Sequence, residues 1–115
     1  MKTLVLVLND ESIVDEILLT FSKIGIKGAT VIDSVGMGGI LGVKIPFLSK
    51  LDNFVTIKKP DNKTIFAVIR DDHILRQAVD TLKEKLKLEK PGTGFMFVIP
   101  VLEMYGTAEI HDADD

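Results

Sequence analysis

The same local plan is written twice in this sequence: an unbroken apolar run, an acidic or amide cap, a helix with one apolar face, and a second apolar run. Thr3–Leu8 is the first run, rich in Val and Leu, and reads as a buried strand. Asn9 or Asp10 can cap a helix, with Glu11 well placed against the helix dipole in the first turn. Val14, Ile17, Leu18 and Phe21 then recur at i, i+3, i+4 and i+7, one apolar helix face, and Gly25 suits the stop. Lys27–Val35 reads as a second strand, interrupted by Asp33 and Ser34 and less buried at that far end. The plan restarts at Thr64–Ile69. Asp71 and Asp72 open a helix whose inner face is Leu75, Ala78, Val79, Leu82 and Leu86. Lys83, Lys85 and Lys87 suit its C-terminal end, and Pro91 bars continuation. Phe95–Val101 is the fourth strand, with Pro100 forcing an edge or a bulge near its end.

The resulting order, β-α-β-loop-β-α-β, is two βαβ halves. It predicts an α+β fold of ferredoxin-like βαββαβ type: an antiparallel sheet with both helices on one face and a long loop between strands 2 and 3. At 115 residues the chain is a single domain, 1–115. Mean hydropathy is +0.28, high for so small a domain, and the strands are apolar on both faces, so a neighbouring subunit is expected to cover the second sheet face. A formal net charge of −3 argues against a nucleic-acid partner. The chain has no cysteine, which excludes disulfides and thiolate metal sites. The apolar run after Lys2 is too short for a secretory segment and is followed by Asn9, Asp10 and Glu11, so a cytoplasmic protein is expected. The polar end, 107–115, with His111 among aspartates, reads as a frayed tail rather than a metal site.

Residues 36–62 break the pattern. A segment of that length without periodicity belongs in a compact domain only if it is functional. It is apolar (Ile40, Leu41, Val43, Ile45, Phe47, Leu48, Leu51, Phe54), and two readings stand: a docking arm for a partner, or residues that fold back into a core or subunit interface. Two glycine clusters flank the strands. Gly36-Met-Gly38-Gly39 follows strand 2, and Lys90-Pro-Gly92-Thr93-Gly94 precedes strand 4. Glycines let backbone amides approach an anion closely, and Lys90 adds a point charge suited to phosphate. Taken alone, each cluster reads first as turn chemistry and only second as a ligand site.

Together these residues resemble the PII nitrogen-regulatory signalling family over nearly the whole chain, from Met1 to about Tyr105. Gly28-Ala-Thr30-Val31 through Gly36-Met-Gly38 is similar to the family's second strand and the start of its T-loop, here 36–62. Lys90-Pro-Gly92-Thr93-Gly94-Phe-Met-Phe97-Val98 resembles its Lys-x-Gly-Asp-Gly-Lys-Ile-Phe-Val signature. The resemblance implies a homotrimer with an adenine nucleotide (ATP, ADP or AMP) as effector in each cleft between subunits, and no covalent cofactor or metal. It implies a regulated partner protein, in the family a membrane transporter among others, and effector contacts from Thr30, Gly36, Gly38, Lys90, Gly92, Thr93 and Gly94. Thr93 stands where the signature has an acid and Phe95 where it has a second lysine. The family's two arginines after strand 4 fall where this chain has Glu103-Met-Tyr105-Gly106-Thr107, which removes the strongest charge-assisted phosphate contacts. The only tyrosine is Tyr105, so uridylylation of a loop tyrosine is not expected.

No serine falls in a recognisable nucleophile motif with His73 or His111, and the pairs Asp15–Glu16 and Asp71–Asp72 read as caps or solvated faces, so no catalysis is expected. Two alternatives share the topology. An amino-acid-sensing ACT-type domain would have a shorter connection between strands 2 and 3. An acylphosphatase-type enzyme would need a glycine-rich loop with an arginine after strand 1.

Overall fold

The computed structural model describes residues 1–37, 61–90 and 92–106. Gly38, Val55–Ile57 and the 107–115 tail therefore lie outside the described residues, as does most of the 36–62 segment. The elements run β1 (Lys2–Leu8), a 3-10 turn (Glu11–Ile13), α1 (Val14–Ile24), β2 (Thr30–Val35), β3 (Asp61–Ile69), α2 (Asp72–Leu86) and β4 (Gly94–Pro100). The four strands form one sheet in the order β2-β3-β1-β4, with every neighbouring pair antiparallel. This is the α+β ferredoxin-like arrangement expected from the doubled pattern.

Register explains which residues meet. Leu6 sits between Ile65 and Met96, and Leu4 between Ala67 and Val98, so Leu4, Leu6, Leu8, Ile65, Ala67 and Ile69 share one sheet face. That face packs on Ile17 and Phe21 of α1 and on Leu75, Ala78, Val79, Leu82 and Leu86 of α2, a single buried core. Burying each Leu or Ile there stabilises the fold by about 1.5–3 kcal/mol.

The helix ends follow from specific groups. Asp10, not Asn9, is the first cap: its carboxylate accepts from the Ser12 amide at 3.0 Å, and it caps a 3-10 turn that leads into α1. α1 ends on Gly25 at φ 109°, with the Gly25 and Ile26 amides both donating to Phe21 O. Phe21 and Ile26 are both buried, the hydrophobic contact that accompanies this stop. Asp71 caps α2 through the His73 amide at 2.8 Å, leaving His73 exposed. α2 stops at Leu86, with Lys87 left-handed at φ 47°, well before Pro91. The proline is thus not what ends the helix.

β2 differs from expectation in two ways. It begins at Thr30 rather than Lys27, because the left-handed Gly25 turn needs several residues to return the chain to the sheet. Its exposure is also reversed: every residue is exposed except Ser34 near its far end. There the Ser34 hydroxyl donates to the Asn62 side-chain oxygen and accepts from the Thr64 hydroxyl at 2.8 Å. Polar cross-strand pairing encloses that end where apolar burial does not.

Among the described residues, nothing covers the second sheet face. Alternation places Val5, Val7, Phe66, Val68, Phe95, Phe97, Ile99 and Ile32 on it. The four inner-strand residues are half-buried, whereas Ile32, Phe95, Phe97 and Ile99 on the edge strands are 43–56% exposed. The Phe95 and Phe97 rings stack at 6.0 Å with 14° between planes.

Candidate effector site

The Gly92–Gly94 turn is built by long-range contacts. Asn9, leaving β1, donates its side-chain amide to Gly92 O at 2.8 Å and its backbone amide to Thr93 O at 3.2 Å. Within the turn, the Thr93 amide donates to Lys90 O at 3.4 Å and the Lys90 amide to Lys87 O at 3.0 Å. From the sequence, Asn9 stands only as an alternative to Asp10 for the helix cap. Nothing local could show that it clamps a turn 83 residues away.

The two glycines of this turn differ in kind. Gly94 sits at φ 143°, and a Cβ there would drive into the Val7 carbonyl oxygen, 3.2 Å from Val7 C and 3.3 Å from Leu8 Cα. Its smallness is demanded by β1. Gly92, at φ 87°, faces open space. A ligand can approach Gly92, whereas Gly94 is closed by the sheet. Gly36 is confined too: a Cβ there would meet the Asn62 side-chain nitrogen at 3.3 Å.

The register fixes where the site residues lie. Gly94, Leu8, Lys63 and Asp33 form one row across the sheet, and Gly36 follows the last residue of β2. The two glycine segments therefore stand at the same end of the sheet but on opposite edges. Three strand spacings, about 14 Å, separate them. Thr30 opens β2 opposite Phe66, at the other end of the strand that leads to Gly36. One chain thus does not bring Thr30 or Gly36 together with Lys90, Gly92, Thr93 and Gly94.

Lys63 pairs with Asp33 and lies 3.6 Å from Glu11, and the Asp33 hydrogen bond first, then the charges of Asp33 and Glu11, hold its ammonium above the usual lysine range. Asp10 is held below the ordinary carboxylate range by its bonds to the Ser12 hydroxyl and amide. Lys90 is exposed and makes no ion pair among the described residues.

Two cavities adjoin these elements. One, of about 330 Å³, lies between the chain leading into β2 and the end of β3 and is lined by Ile26, Lys27, Gly28, Val68, Arg70 and Met104 among others. The other, of about 380 Å³, lies on the helix side of the turn, between Asp10, Glu16, Lys85, Gly92 and Thr93. Lys85 and Glu16 pair at 3.1 Å across its rim. Among the described residues no group of His, Asp and Glu is arranged to hold a metal ion. No helix among them is long and apolar enough to cross a membrane.

The element order and the antiparallel β2-β3-β1-β4 sheet define an α+β fold of ferredoxin-like type. The sequence matches the model of the family described as nitrogen regulatory protein P-II over residues 1–108, and the chain belongs to that family of signalling proteins. Among solved structures it is similar to the PII protein of Arabidopsis thaliana bound to citrate, at 21% identity and a TM-score of 0.60, covering 87% of this chain and 76% of that one. It is also similar to a protein of Thermus thermophilus described as a PII-like signalling protein, at 12% identity and a TM-score of 0.57, covering 84% of this chain and 80% of that one. No curated protein matches the sequence. Membership of this family sets aside the ACT-type and acylphosphatase-type readings.

Proposed function

We propose that the chain is a non-catalytic, cytoplasmic signalling protein. In this reading it binds a small anionic effector of adenine-nucleotide type between subunits of a homotrimer and regulates a partner protein, a membrane transporter among the candidates, through residues 36–62. The observation that carries this reading is the placement of the two glycine segments at one end of the sheet but on opposite edges. A ligand held by both needs Gly36 from one copy and Lys90 and Gly92 from another. The apolar face supports the same assembly, since among the described residues nothing covers Ile32, Phe95, Phe97 and Ile99.

Light scattering coupled to gel filtration tests the assembly, with three times the 12.7 kDa chain mass expected and a monodisperse monomer at micromolar concentration refuting it. Calorimetry with ATP, ADP, AMP, cyclic nucleotides, 2-oxoglutarate and bicarbonate tests the effector. Lys90→Ala should weaken binding about tenfold or more, the loss of one charge-assisted hydrogen bond. An affinity indifferent to that substitution refutes the site. The loop's role fails if partner association survives deletion of residues 40–57.

A further inference from the structure

We infer that the cavity on the helix side of the molecule is a second ligand site, one that takes a small α-amino acid with an apolar side chain. The inference stands apart from the effector reading above. It turns on Asp10 and Lys85, neither of which belongs to that site, and its test needs no nucleotide.

The cavity is what remains where two helix ends and a turn meet without closing. The 3-10 turn Glu11–Ile13 delays the start of α1 to Val14, and α2 stops at Leu86, where left-handed Lys87 turns the chain away. The Gly92–Thr93 turn, held by Asn9, forms the remaining wall. The space left is about 380 Å³, within the range of about 300–1,000 Å³ that small-molecule sites occupy. Its apolar lining is Ile17 and Leu86, both buried, with Ile13 half-buried beside them. These residues belong to the helix layer, opposite the sheet face proposed to meet another copy, so that assembly leaves the cavity accessible.

The polar lining carries both signs. Asp10 uses one carboxylate oxygen, Oδ1, to accept from the Ser12 amide at 3.0 Å and the Ser12 hydroxyl at 2.6 Å. Its second oxygen, Oδ2, has no partner among the described residues and is left for an ammonium group. Lys85 donates to Glu16 at 3.1 Å, but the two side chains are 40% and 64% exposed, and such a pair opens at little cost. Lys85 can turn one of its three N–H donors on a ligand carboxylate while another stays with Glu16. Glu16 at its side disfavours a doubly charged phosphate there and tolerates a single carboxylate better. An ammonium and a carboxylate on one carbon, with an apolar side chain, answer Asp10, Lys85 and the wall of Ile13, Ile17 and Leu86 together. A simple amine or a simple carboxylic acid would leave one of the two charged groups unused.

The test is an amide-resolved NMR titration of the full chain with L-leucine, beside 4-methylpentanoate and 3-methylbutylamine, which are leucine without its ammonium and without its carboxylate. Leucine is expected to shift the amides of Ile13, Ile17, Leu86 and Thr93 saturably, and to bind about tenfold or more tighter than either half-ligand. Asp10→Asn keeps the cap, because asparagine caps as well as aspartate, and Lys85→Gln keeps a good helix former. Each should weaken leucine about tenfold while circular dichroism stays that of the parent. Should Asp10→Asn unfold, Lys85→Gln and the two half-ligands decide the matter. No saturable shift at millimolar leucine overturns the inference, as do shifts confined to residues away from the cavity. Half-ligands that bind as tightly as leucine, or a leucine affinity unmoved in the folded variants, overturn it too. Any of these leaves the effector reading standing.

Discussion

The sharpest mutational contrast in the molecule lies between two glycines two residues apart. Gly94→Ala places a methyl inside the Val7 carbonyl of a central strand, at φ 143°. Neither partner can yield by rotating a side chain, so the first pair of the β1–β4 ladder, Leu8 with Gly94, has to open. Overpacking costs about 1–3 kcal/mol and the unfavourable φ about 1–2 kcal/mol, which together give a loss of about 3 kcal/mol. With a urea slope of about 1.2–1.5 kcal/mol/M for a domain of this size, the midpoint should fall by about 2 M. Gly92→Ala keeps a positive φ of 87° but meets nothing within 4 Å. Its cost is about 1 kcal/mol and its midpoint shift less than about 1 M. Both variants are to be unfolded at one protomer concentration, because the proposed assembly would make the midpoint concentration-dependent. Midpoints that agree within about 0.3 M would refute the reasoning, since they would mean that β1 does not confine Gly94.

Three further outcomes are expected. Leu6→Ala, at a fully buried position of the central strand, should cost about 2–5 kcal/mol and lower the melting temperature by at least about 8 °C by calorimetry. Phe97→Glu, on the open face, should leave the circular dichroism of the fold intact and convert the assembly to monomers by light scattering; a persisting trimer would show that this face is not the interface. Asp72 is held low by its bond to Lys2 at 2.8 Å, and Asp10 by Ser12, so both contribute stability above the ordinary carboxylate range that is lost as pH falls through their depressed values. Lys63, held high, contributes below the ordinary lysine range and is lost as pH rises through its raised value. Urea midpoints measured across pH should therefore decline at both extremes, and Asp72→Asn should flatten part of the acid limb.

Periodicity made the topology legible. The face Leu75, Ala78, Val79, Leu82, Leu86 could be read directly because helix spacing and burial coincide there, and the same holds for Ile17 and Phe21. Edges were less legible. β2 has strand composition but little burial, so its start was misplaced by three residues and the enclosure of Ser34 was missed, because that enclosure comes from Asn62 and Thr64 across the sheet. The site was legible in kind and not in arrangement. Composition singled out Gly92 and Gly94 alike, and only the backbone of Val7 distinguishes the confined one from the approachable one. Asn9 escaped for the same reason: its partners, Gly92 O and Thr93 O, become neighbours only when β4 pairs with β1.

The strand order then ties the chain's apolar excess to its ligand chemistry. With β1 and β3 central, the glycine segments that follow β2 and precede β4 are forced to opposite edges, and no local adjustment of either turn can close three strand spacings. The same order leaves the half-buried Val5, Val7, Phe66 and Val68 at the centre of the open face and the more exposed Ile32, Phe95, Phe97 and Ile99 toward its edges. A second copy docked on that face would cover the edges first, where uncovered apolar area is greatest, and the edges are also where the glycine segments lie. Burial of the face and completion of the site would then be one event. Any substitution that weakens association, Phe97→Glu among them, should accordingly weaken effector binding without touching a binding residue, and bound effector should in turn raise the stability of the assembly.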